Sequence, residues 1–280
     1  MKIKCYGARG STPVSGQEYI KYGGNSTCIT VTSNSGDLVI IDAGSGIRRL
    51  GNELLNSEHH SVSMIFTHAH WDHLLGFPFF KPLFHRQFSI NIYGCPFAEN
   101  KTIIELLAGT MEPPYFPVDL NTCKANIRYT EVMLSAFQIG SLQIIPIFLS
   151  HPNGGIGYKF IEDGKSFVFL TDNELGFRHK DGLDFIDYVR DCKNIDLLYH
   201  DGEYKQEEYG NRMRWGHSST SDLIKLSLAA NVKNVGIFHH NQDRSDEEID
   251  EMVAHCQELL ANANSDINCF AVAEGSEYIL

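Results

Sequence analysis

The sequence lacks the long apolar runs and the paired cysteines that define several common classes of protein. No stretch of its 280 residues approaches the roughly 18 consecutive apolar residues of a transmembrane helix, so we expect no membrane association. The segment Met1–Gly7 has no apolar core of the kind found in signal peptides, and it is predicted to be the first strand. The seven cysteines are an odd number without C-x-x-C spacing, which argues against a disulfide framework and for reduced thiols in the cytoplasm.

Basic residues are also scarce. Lysine and arginine number 23 against 35 aspartates and glutamates, so the formal net charge is −12 at pH 7. An acidic protein repels polyanions, and a long nucleic acid is therefore disfavoured as a substrate. The hydrophobic content of 42% is that of an ordinary globular protein, and the chain is long enough for one large domain or two small ones.

Alternating strand-like and helix-like segments run through the chain. Segments rich in valine, isoleucine and threonine predict strands at 2–6, 27–33, 37–42, 62–67, 88–93, 142–148, 157–162, 166–172, 195–201 and 232–238. Apolar residues at helical spacing predict helices at 47–56, 98–107, 182–190, 218–230 and 246–261. Asp163-Gly164 is the predicted turn of a hairpin, and Cys28 and Cys269 are expected to be small core residues.

Residues 76–130 are less regular and contain aromatic and proline-rich runs at 77–80 and 113–117. One interpretation is a packed surface excursion. The other is a wall over a binding site, where aromatic rings stack on a base. The sequence leaves both interpretations open.

The most distinctive stretch is Met64–His73, in which a strand-like run is followed by the spacing H-x-H-x-D-H. Imidazole and carboxylate groups are ligands of zinc-type ions. Alternate residues leaving a strand point the same way, so His68 and His70 can reach one ion. Asp72 and His73 follow as the chain turns and can reach a second ion. The competing interpretation is a polar loop that is merely rich in histidine.

Other predicted strands also end in groups that bind metals. His151, Asp172 and the adjacent pair His239 and His240 follow three of them. Taken alone, His151 could be a loop histidine and Asp172 could cap a turn. Because His239 and His240 are adjacent, at most one of them is expected to face a metal. Asp42 follows a further predicted strand, where the competing role is an ordinary turn former.

The run Gly216-His217-Ser218-Ser219 precedes the predicted helix 218–230, and either serine could be its N-cap. His217 would then lie just before the helix, where it could donate a proton or bind a phosphate oxygen. A surface histidine beside a helix cap is the alternative.

Spread from Asp42 to His239, these motifs resemble the metallo-β-lactamase superfamily, and within it the phosphodiesterase branch that includes ribonuclease Z and the phosphonate-pathway cyclic phosphodiesterases. The resemblance implies a single four-layer αββα domain over residues 1–280, with 76–130 as a substrate wall. It implies a first ion held by His68, His70 and His151, a second held by Asp72, His73 and His239, and Asp172 as the bridge between them.

The resemblance also assigns the remaining groups. Gly216-His217-Ser218-Ser219 is similar to the G-H-S-T of ribonuclease Z, and counting from it places the ligand at His239, with His240 as the alternative. Asp42 would orient a ligand histidine or the loop that carries it. Histidine at position 70, where diiron oxidoreductases of the superfamily carry glutamate, favours hydrolysis with two divalent ions. Zinc is the expected metal, and manganese is the alternative.

The function implied by the resemblance is hydrolysis of a phosphodiester by a metal-bound hydroxide. The substrate would be a small nucleotide, which could be cyclic, and Asp72, His217 and Asp42 would be the catalytic groups. The alternatives are a thioester or lactone hydrolase on the same metals, a tRNA 3′-processing endoribonuclease, and a nucleotide-binding module that retains metal. The chain has no glycine-rich basic segment like the tRNA-gripping arm of ribonuclease Z. A homodimer stays open.

Overall fold

Two β-sheets form the centre of the molecule, which a computed structural model describes for residues 1–94, 101–132 and 135–280. In these ranges each sheet has seven strands. The first contains β1 (Lys2–Gly7), β2 (Cys28–Thr32), β3 (Leu38–Ile41), β4 (Ser61–Ile65), β5 (Ser89–Gly94), β6 (Asn126–Glu131) and β14 (Glu277–Ile279). The second contains β7 (Phe137–Ile139), β8 (Leu142–Phe148), β9 (Ile156–Glu162), β10 (Lys165–Leu170), β11 (Leu197–Asp201), β12 (Asn234–Phe238) and β13 (Asn268–Ala271).

The two sheets are built alike. The first has the order β14-β1-β2-β3-β4-β5-β6, and the second has the order β13-β12-β11-β10-β9-β8-β7. Each combines antiparallel strands with a parallel run, which is β3 to β6 in the first sheet and β10 to β13 in the second. The carboxyl ends of parallel strands meet at one edge of a sheet, and this arrangement brings the predicted site residues together.

Helices cover the outer faces of both sheets. They are α1 (Ile47–Leu54), α3 (Ile103–Thr110), α4 (Phe185–Asp191), α6 (Thr220–Ala230) and α7 (Asp246–Asn262). Two short helices, α2 (Trp71–Leu74) and α5 (Gln206–Tyr209), lie in the connections between strands. One apolar cluster lies between the sheets, a second joins α1 and α3 to the first sheet, and a third joins α4, α6 and α7 to the second. This layering confirms the predicted αββα sandwich. Among the described residues, no helix is long and apolar enough to cross a bilayer.

Most predicted elements are present with shifted ends. Strands β3 and β10 end earlier than predicted because Asp42 and Asp172 beyond their ends have left-handed backbones, with φ of 61° and 52°. Strand β12 ends at Phe238, as predicted, directly before the left-handed His239, and begins two residues later than predicted. The Asp163-Gly164 hairpin turn is confirmed, and both residues have the positive φ that such a turn requires. Cys28 and Cys269 are buried, as expected.

Three helices begin later than the sequence predicts, each for a local reason. The helix predicted at 218–230 begins at Thr220, because Ser219 is its N-cap. The helix predicted at 182–190 begins at Phe185, because Asp184 and Asp187 form a capping box at its start. The helix predicted at 98–107 begins at Ile103, because Thr102 and Glu105 cap it in the same way. Residues 98–100 of that prediction lie outside the described residues.

Residues 76–130 contribute β5, β6 and α3, so much of this segment packs into the first sheet and its outer layer. Phe77 and Phe80 are fully buried in that layer. Phe79 is largely exposed, and its ring contacts that of Phe116 with centroids 5.6 Å apart. Tyr115 is exposed. The packed interpretation therefore holds for Phe77 and Phe80.

Candidate metal centre

The ends of four strands and the start of α2 bring all seven predicted ligands into one place. The first group contains His68, His70, His151 and Asp172, and the second contains Asp72, His73, Asp172 and His239. Within each group the potential ligand atoms lie within 4.8 Å of one another. Asp172 belongs to both groups, so one carboxylate stands between two clusters of metal-binding atoms. Histidine and aspartate in these numbers form a donor set that suits zinc and similar divalent ions.

Two buried nitrogens in the cluster test whether the residues fit metal ions. The Nε2 atoms of His68 and His73 are buried and have no hydrogen-bond partner. Both face carboxylates of the cluster: Nε2 of His68 lies 3.6 Å from Asp172, and Nε2 of His73 lies 3.1 Å from Asp72 and 3.3 Å from Asp172. A buried polar atom without a partner is costly, and a coordinated cation removes that cost. The residues therefore fit divalent metal binding.

In His73, His151 and His239, the Nδ1 atom is held by a group outside the cluster. Nδ1 of His73 donates to Asp42 at 2.8 Å, and Asp42 also accepts hydrogen bonds from the backbone and hydroxyl of Thr67. Nδ1 of His239 lies 3.0 Å from Glu203, and Nδ1 of His151 lies 3.0 Å from the carbonyl of Gly216. Such outer contacts fix ring orientation and leave Nε2 facing inward. The structure thus places Asp42 where the sequence predicts a supporting group.

The adjacent histidines point in different directions. Nε2 of His239 lies 3.3 Å from a carboxylate oxygen of Asp72 and 3.3 Å from one of Asp172. His240 instead donates from Nε2 to the carbonyl of Val272 at 2.9 Å. Burial lowers the pKa of His240 to about 3, so its ring is neutral. His239 is therefore the one that the fold brings to the cluster.

Electrostatics divide the histidines of the two groups. Burial lowers the pKa of His68, His70 and His151, to about 3 in the case of His151. Burial also opposes the charged forms of His73 and His239, but neighbouring carboxylates, Asp72 and Asp172 among them, outweigh it and raise both pKa values. The three histidines of the first group are therefore neutral and ready to coordinate, whereas the second group contains imidazoles that share protons with carboxylates.

His217 lies at the edge of the second group. Its ring stacks on that of His239 with centroids 4.6 Å apart, and its Nδ1 lies 2.6 Å from Asp201. Burial disfavours the charged ring, but the carboxylates of Glu203 and Asp201 raise its pKa to about 9. Ser219 is the N-cap of the following helix, since its hydroxyl accepts from the backbone of Asp222.

Three functional residues are missing from the sequence-based site. Asp201 is the last residue of β11 and contacts His217, and Glu203 lies just beyond the strand and contacts His239. Glu174 lies beyond β10, is buried, and accepts four hydrogen bonds. The donors are Tyr209 Oη, the backbone amides of Arg214 and Gly216, and His179 Nε2, at 2.7 to 2.8 Å. The signal that could have identified them is an acidic residue at or just beyond the ends of β10 and β11, because the predicted ligands also follow strand ends.

A cleft borders the metal cluster beside His151. Its volume is about 380 Å³, and it is lined by His151, Pro152, Asn153, Gly154, His179, Lys180 and Asp181. Sites for small ligands typically measure roughly 300–1,000 Å³. The cleft is therefore large enough for a small molecule.

Known proteins with similar sequences are mostly ribonucleases. The chain is 23% identical to ribonuclease Z from Thermococcus kodakarensis over 269 residues, which covers 80% of the chain and 82% of that protein. It is 32% identical to ribonuclease Z from Halalkalibacterium halodurans over 72 residues, covering 26% of the chain and 23% of that protein. The chain thus matches less than a quarter of the second relative. Their names agree with the predicted hydrolase class.

Solved structures with the same fold cover almost the whole chain. A diphosphatase from the PhnP family superposes with a TM-score of 0.69 at 17% identity, covering 100% of this chain and 97% of that one. Zn²⁺-bound PqqB from Methylobacterium extorquens gives 0.69 at 14% identity, with 100% of both chains covered. The short form of human tRNase Z gives 0.64 at 15% identity, covering 100% and 99%. At these identities the likeness shows the fold.

The sequence also matches a described family directly. The family is the beta-lactamase superfamily domain, and the match covers residues 38–240. That range contains every residue of both ligand groups as well as His217 and its carboxylate partners. The predicted superfamily is thereby confirmed, and the chain belongs to the beta-lactamase superfamily domain family.

Proposed function

We infer that this chain is a metal-dependent phosphodiesterase whose substrate is a small nucleotide, with cyclic nucleotides as the first candidates. The observation that carries this inference is that the two ligand groups share Asp172 and that His217 lies beside the second group. His68, His70 and His151 would hold one ion, and Asp72, His73 and His239 would hold the other. Two bound divalent ions supply charge neutralisation at phosphorus and activation of a water molecule. The donor set favours zinc, with manganese as the alternative.

The role of His217 follows from its contacts. Because Nδ1 is occupied by Asp201 at 2.6 Å, Nε2 is the atom that can donate a proton to a leaving oxygen. The carboxylates of Asp201 and Glu203 keep the ring protonated near neutral pH, since they raise its pKa. Asp42 supports the reaction indirectly by fixing the ring of His73.

Charge and space support a small substrate. The net charge of −12 disfavours a long polyanion, whereas a mononucleotide carries only one or two charges. The cleft beside His151 has room for a nucleoside and includes one cationic side chain, Lys180. Two further cationic side chains, those of Arg212 and Arg214 in the segment before His217, lie over aromatic rings.

A second candidate is endonucleolytic cleavage of RNA. It is favoured by the alignment with ribonuclease Z from Thermococcus kodakarensis, which extends over 80% of this chain. The same metal chemistry cleaves either substrate, so the two functions differ in what the surface around the site binds. A homodimer could add surface that one chain does not have.

The deciding experiment is a competition at physiological salt. Metal-loaded protein is given 2′,3′- and 3′,5′-cyclic mononucleotides together with a precursor tRNA that carries a 3′ trailer, and Asp172→Asn protein is the control for contaminating nucleases. We expect cleavage of a cyclic nucleotide and an intact trailer. Trailer removal without cyclic nucleotide hydrolysis would establish the second candidate. Parallel assays with a thioester and a lactone test those alternatives, and exclusive turnover of either would overturn the proposal.

A further inference from the structure

The chain contains two tryptophans, and both side chains are exposed. Trp71 is 66% exposed and Trp215 is 59% exposed. Tryptophan is highly buried on average, because it removes a large apolar area from water. Core packing therefore does not explain why these two positions carry the largest aromatic side chain.

Both tryptophans are neighbours of groups that contact His151. Trp71 follows His70, whose Nδ1 lies 3.1 Å from Nε2 of His151. Trp215 precedes Gly216, whose carbonyl lies 3.0 Å from Nδ1 of the same imidazole. The two exposed rings thus belong to chain segments that meet at one predicted ligand of the first ion.

The position of Trp215 is held by several contacts. The guanidinium of Arg212 lies over its ring at 5.0 Å and over the ring of Tyr204 at 5.6 Å. Glu174 binds the backbone amides of the residues on either side of Trp215 at 2.7 Å and 2.8 Å. A ring that is already ordered loses little entropy on binding, so it is well suited to hold a ligand.

We propose that Trp71 and Trp215 form the surface on which the nucleobase of the substrate stacks while its phosphodiester lies at the metals. This deepens the proposed function and rests on it. Every base offers a flat face, so stacking supplies affinity without requiring a particular base. Phe77 and Phe80, in the aromatic segment that the sequence suggested for this role, are fully buried and cannot do this.

Tryptophan emission comes from these two residues alone, so it reports binding at them without any need for turnover. Metal-loaded protein is titrated with AMP and with ribose 5-phosphate, which has the same phosphate but no base. Affinities are measured by calorimetry, and emission is followed under excitation selective for tryptophan. We expect AMP to quench the emission and to bind roughly 5- to 150-fold more tightly than ribose 5-phosphate, the range for stacking of one base.

Variants assign the difference to the tryptophans. The double variant Trp71→Leu/Trp215→Leu is expected to bind AMP and ribose 5-phosphate equally, with metal content and thermal stability unchanged because both side chains are exposed. Tyr115→Leu, which removes another exposed aromatic ring, is expected to keep the preference for AMP. A double variant that retains the preference would overturn the proposal.

Failure of the stacking surface is distinguishable from failure of the proposed function. Equal binding of AMP and ribose 5-phosphate by the unmodified protein, together with hydrolysis of phosphodiesters, would remove the stacking surface and leave the phosphodiesterase. Loss of the AMP preference in Tyr115→Leu alone would move the ring contact to the 113–117 segment and overturn the assignment to the tryptophans.

Discussion

The ring of His73 is held between Asp42 and Asp172. Its Nδ1 donates to Asp42 at 2.8 Å, while its Nε2 lies 3.3 Å from Asp172 and has no hydrogen-bond partner. All three side chains are buried. The outer carboxylate thus fixes the tautomer and direction of a ring whose free nitrogen faces the shared carboxylate of both ligand groups.

Replacing Asp42 by asparagine should weaken metal binding while preserving the backbone. Asp42 has a left-handed φ of 61°, which asparagine tolerates. The amide can accept from His73 but carries no charge, so we expect roughly 10- to 100-fold lower affinity. Competition against a chromophoric chelator measures it. Asp163→Asn, at an exposed left-handed turn, is the matched control, and equal affinities in both variants would contradict the role of Asp42.

His239 and His240 should differ in metal content. His239 lies against Asp72 and Asp172, so His239→Ala should bind one ion fewer than the two expected per chain. His240 bonds to the carbonyl of Val272, so His240→Ala should keep both ions although its stability falls. Elemental analysis of the purified variants decides this. The reverse pattern would assign the ligand to His240.

His217 should matter most for substrates with poor leaving groups. A general acid typically contributes about 100- to 10,000-fold, and p-nitrophenolate needs little of that help. We expect His217→Ala to lose most of its activity on an alkyl phosphodiester and far less on a p-nitrophenyl ester. Asp201→Asn should show the same pattern more weakly, because Asp201 positions the ring. Equal losses on both substrates would point to a binding role instead.

The candidate ligands were predictable because their pattern is local or lies at strand ends. H-x-H-x-D-H fixes four of them within six residues, and His151 and Asp172 each follow an apolar run. The layered fold was predictable through the resemblance of the same motifs. The ends of the helices and strands were less predictable, since they depend on caps such as Asp184 and on left-handed turns.

The contacts around the ligands were harder to predict because they join distant segments. Glu174 binds amides 40 and 42 residues further along the chain, and no local pattern reports that contact. Glu203 meets His239 across 36 residues in the same way. The exposure of Trp71 and Trp215 also depends on packing. The sequence therefore suggested the aromatic segment at 77–80 instead, although three of its four residues are buried.

Asp196 should give the fold an acid-sensitive contribution to stability. Its carboxylate joins the ends of three neighbouring strands, through Ser166 at 2.9 Å and Lys233 at 2.7 Å. Burial opposes the charge, but these partners outweigh it and lower the pKa of Asp196. We expect Asp196→Asn to cost about 1 kcal/mol at neutral pH, as for a typical hydrogen-bonded group.

The sign of the pH dependence follows from that lowered pKa. The contribution of Asp196 is fully present above its unfolded pKa, which is about 3.9, and is lost as the pH falls through the folded pKa. The difference between the two proteins should therefore be constant above about pH 5 and shrink below about pH 4. Urea unfolding across this range measures it. A difference that grows on acidification would contradict the assignment.

Glu174 should keep the segment before His217 in place. Four donors converge on its buried carboxylate, and two of them are the amides of Arg214 and Gly216. Glutamine has nearly the same shape, but its NH₂ group must face some of these donors, and each lost bond to a charged group costs roughly 1.5–3 kcal/mol. Glu174→Gln should therefore loosen residues 210–216 and displace both His217 and the carbonyl that binds His151.

Trypsin reports this loosening directly, because Arg212 and Arg214 are cleavage sites within the segment. In Glu174→Gln, cleavage after these arginines should become faster than cleavage elsewhere, and turnover should fall while most of the metal is retained. Glu248→Gln, which alters a cap of α7, is the control for a general loss of stability. If both variants are cut at the same sites and rates, Glu174 stabilises the fold as a whole and has no particular hold on His217.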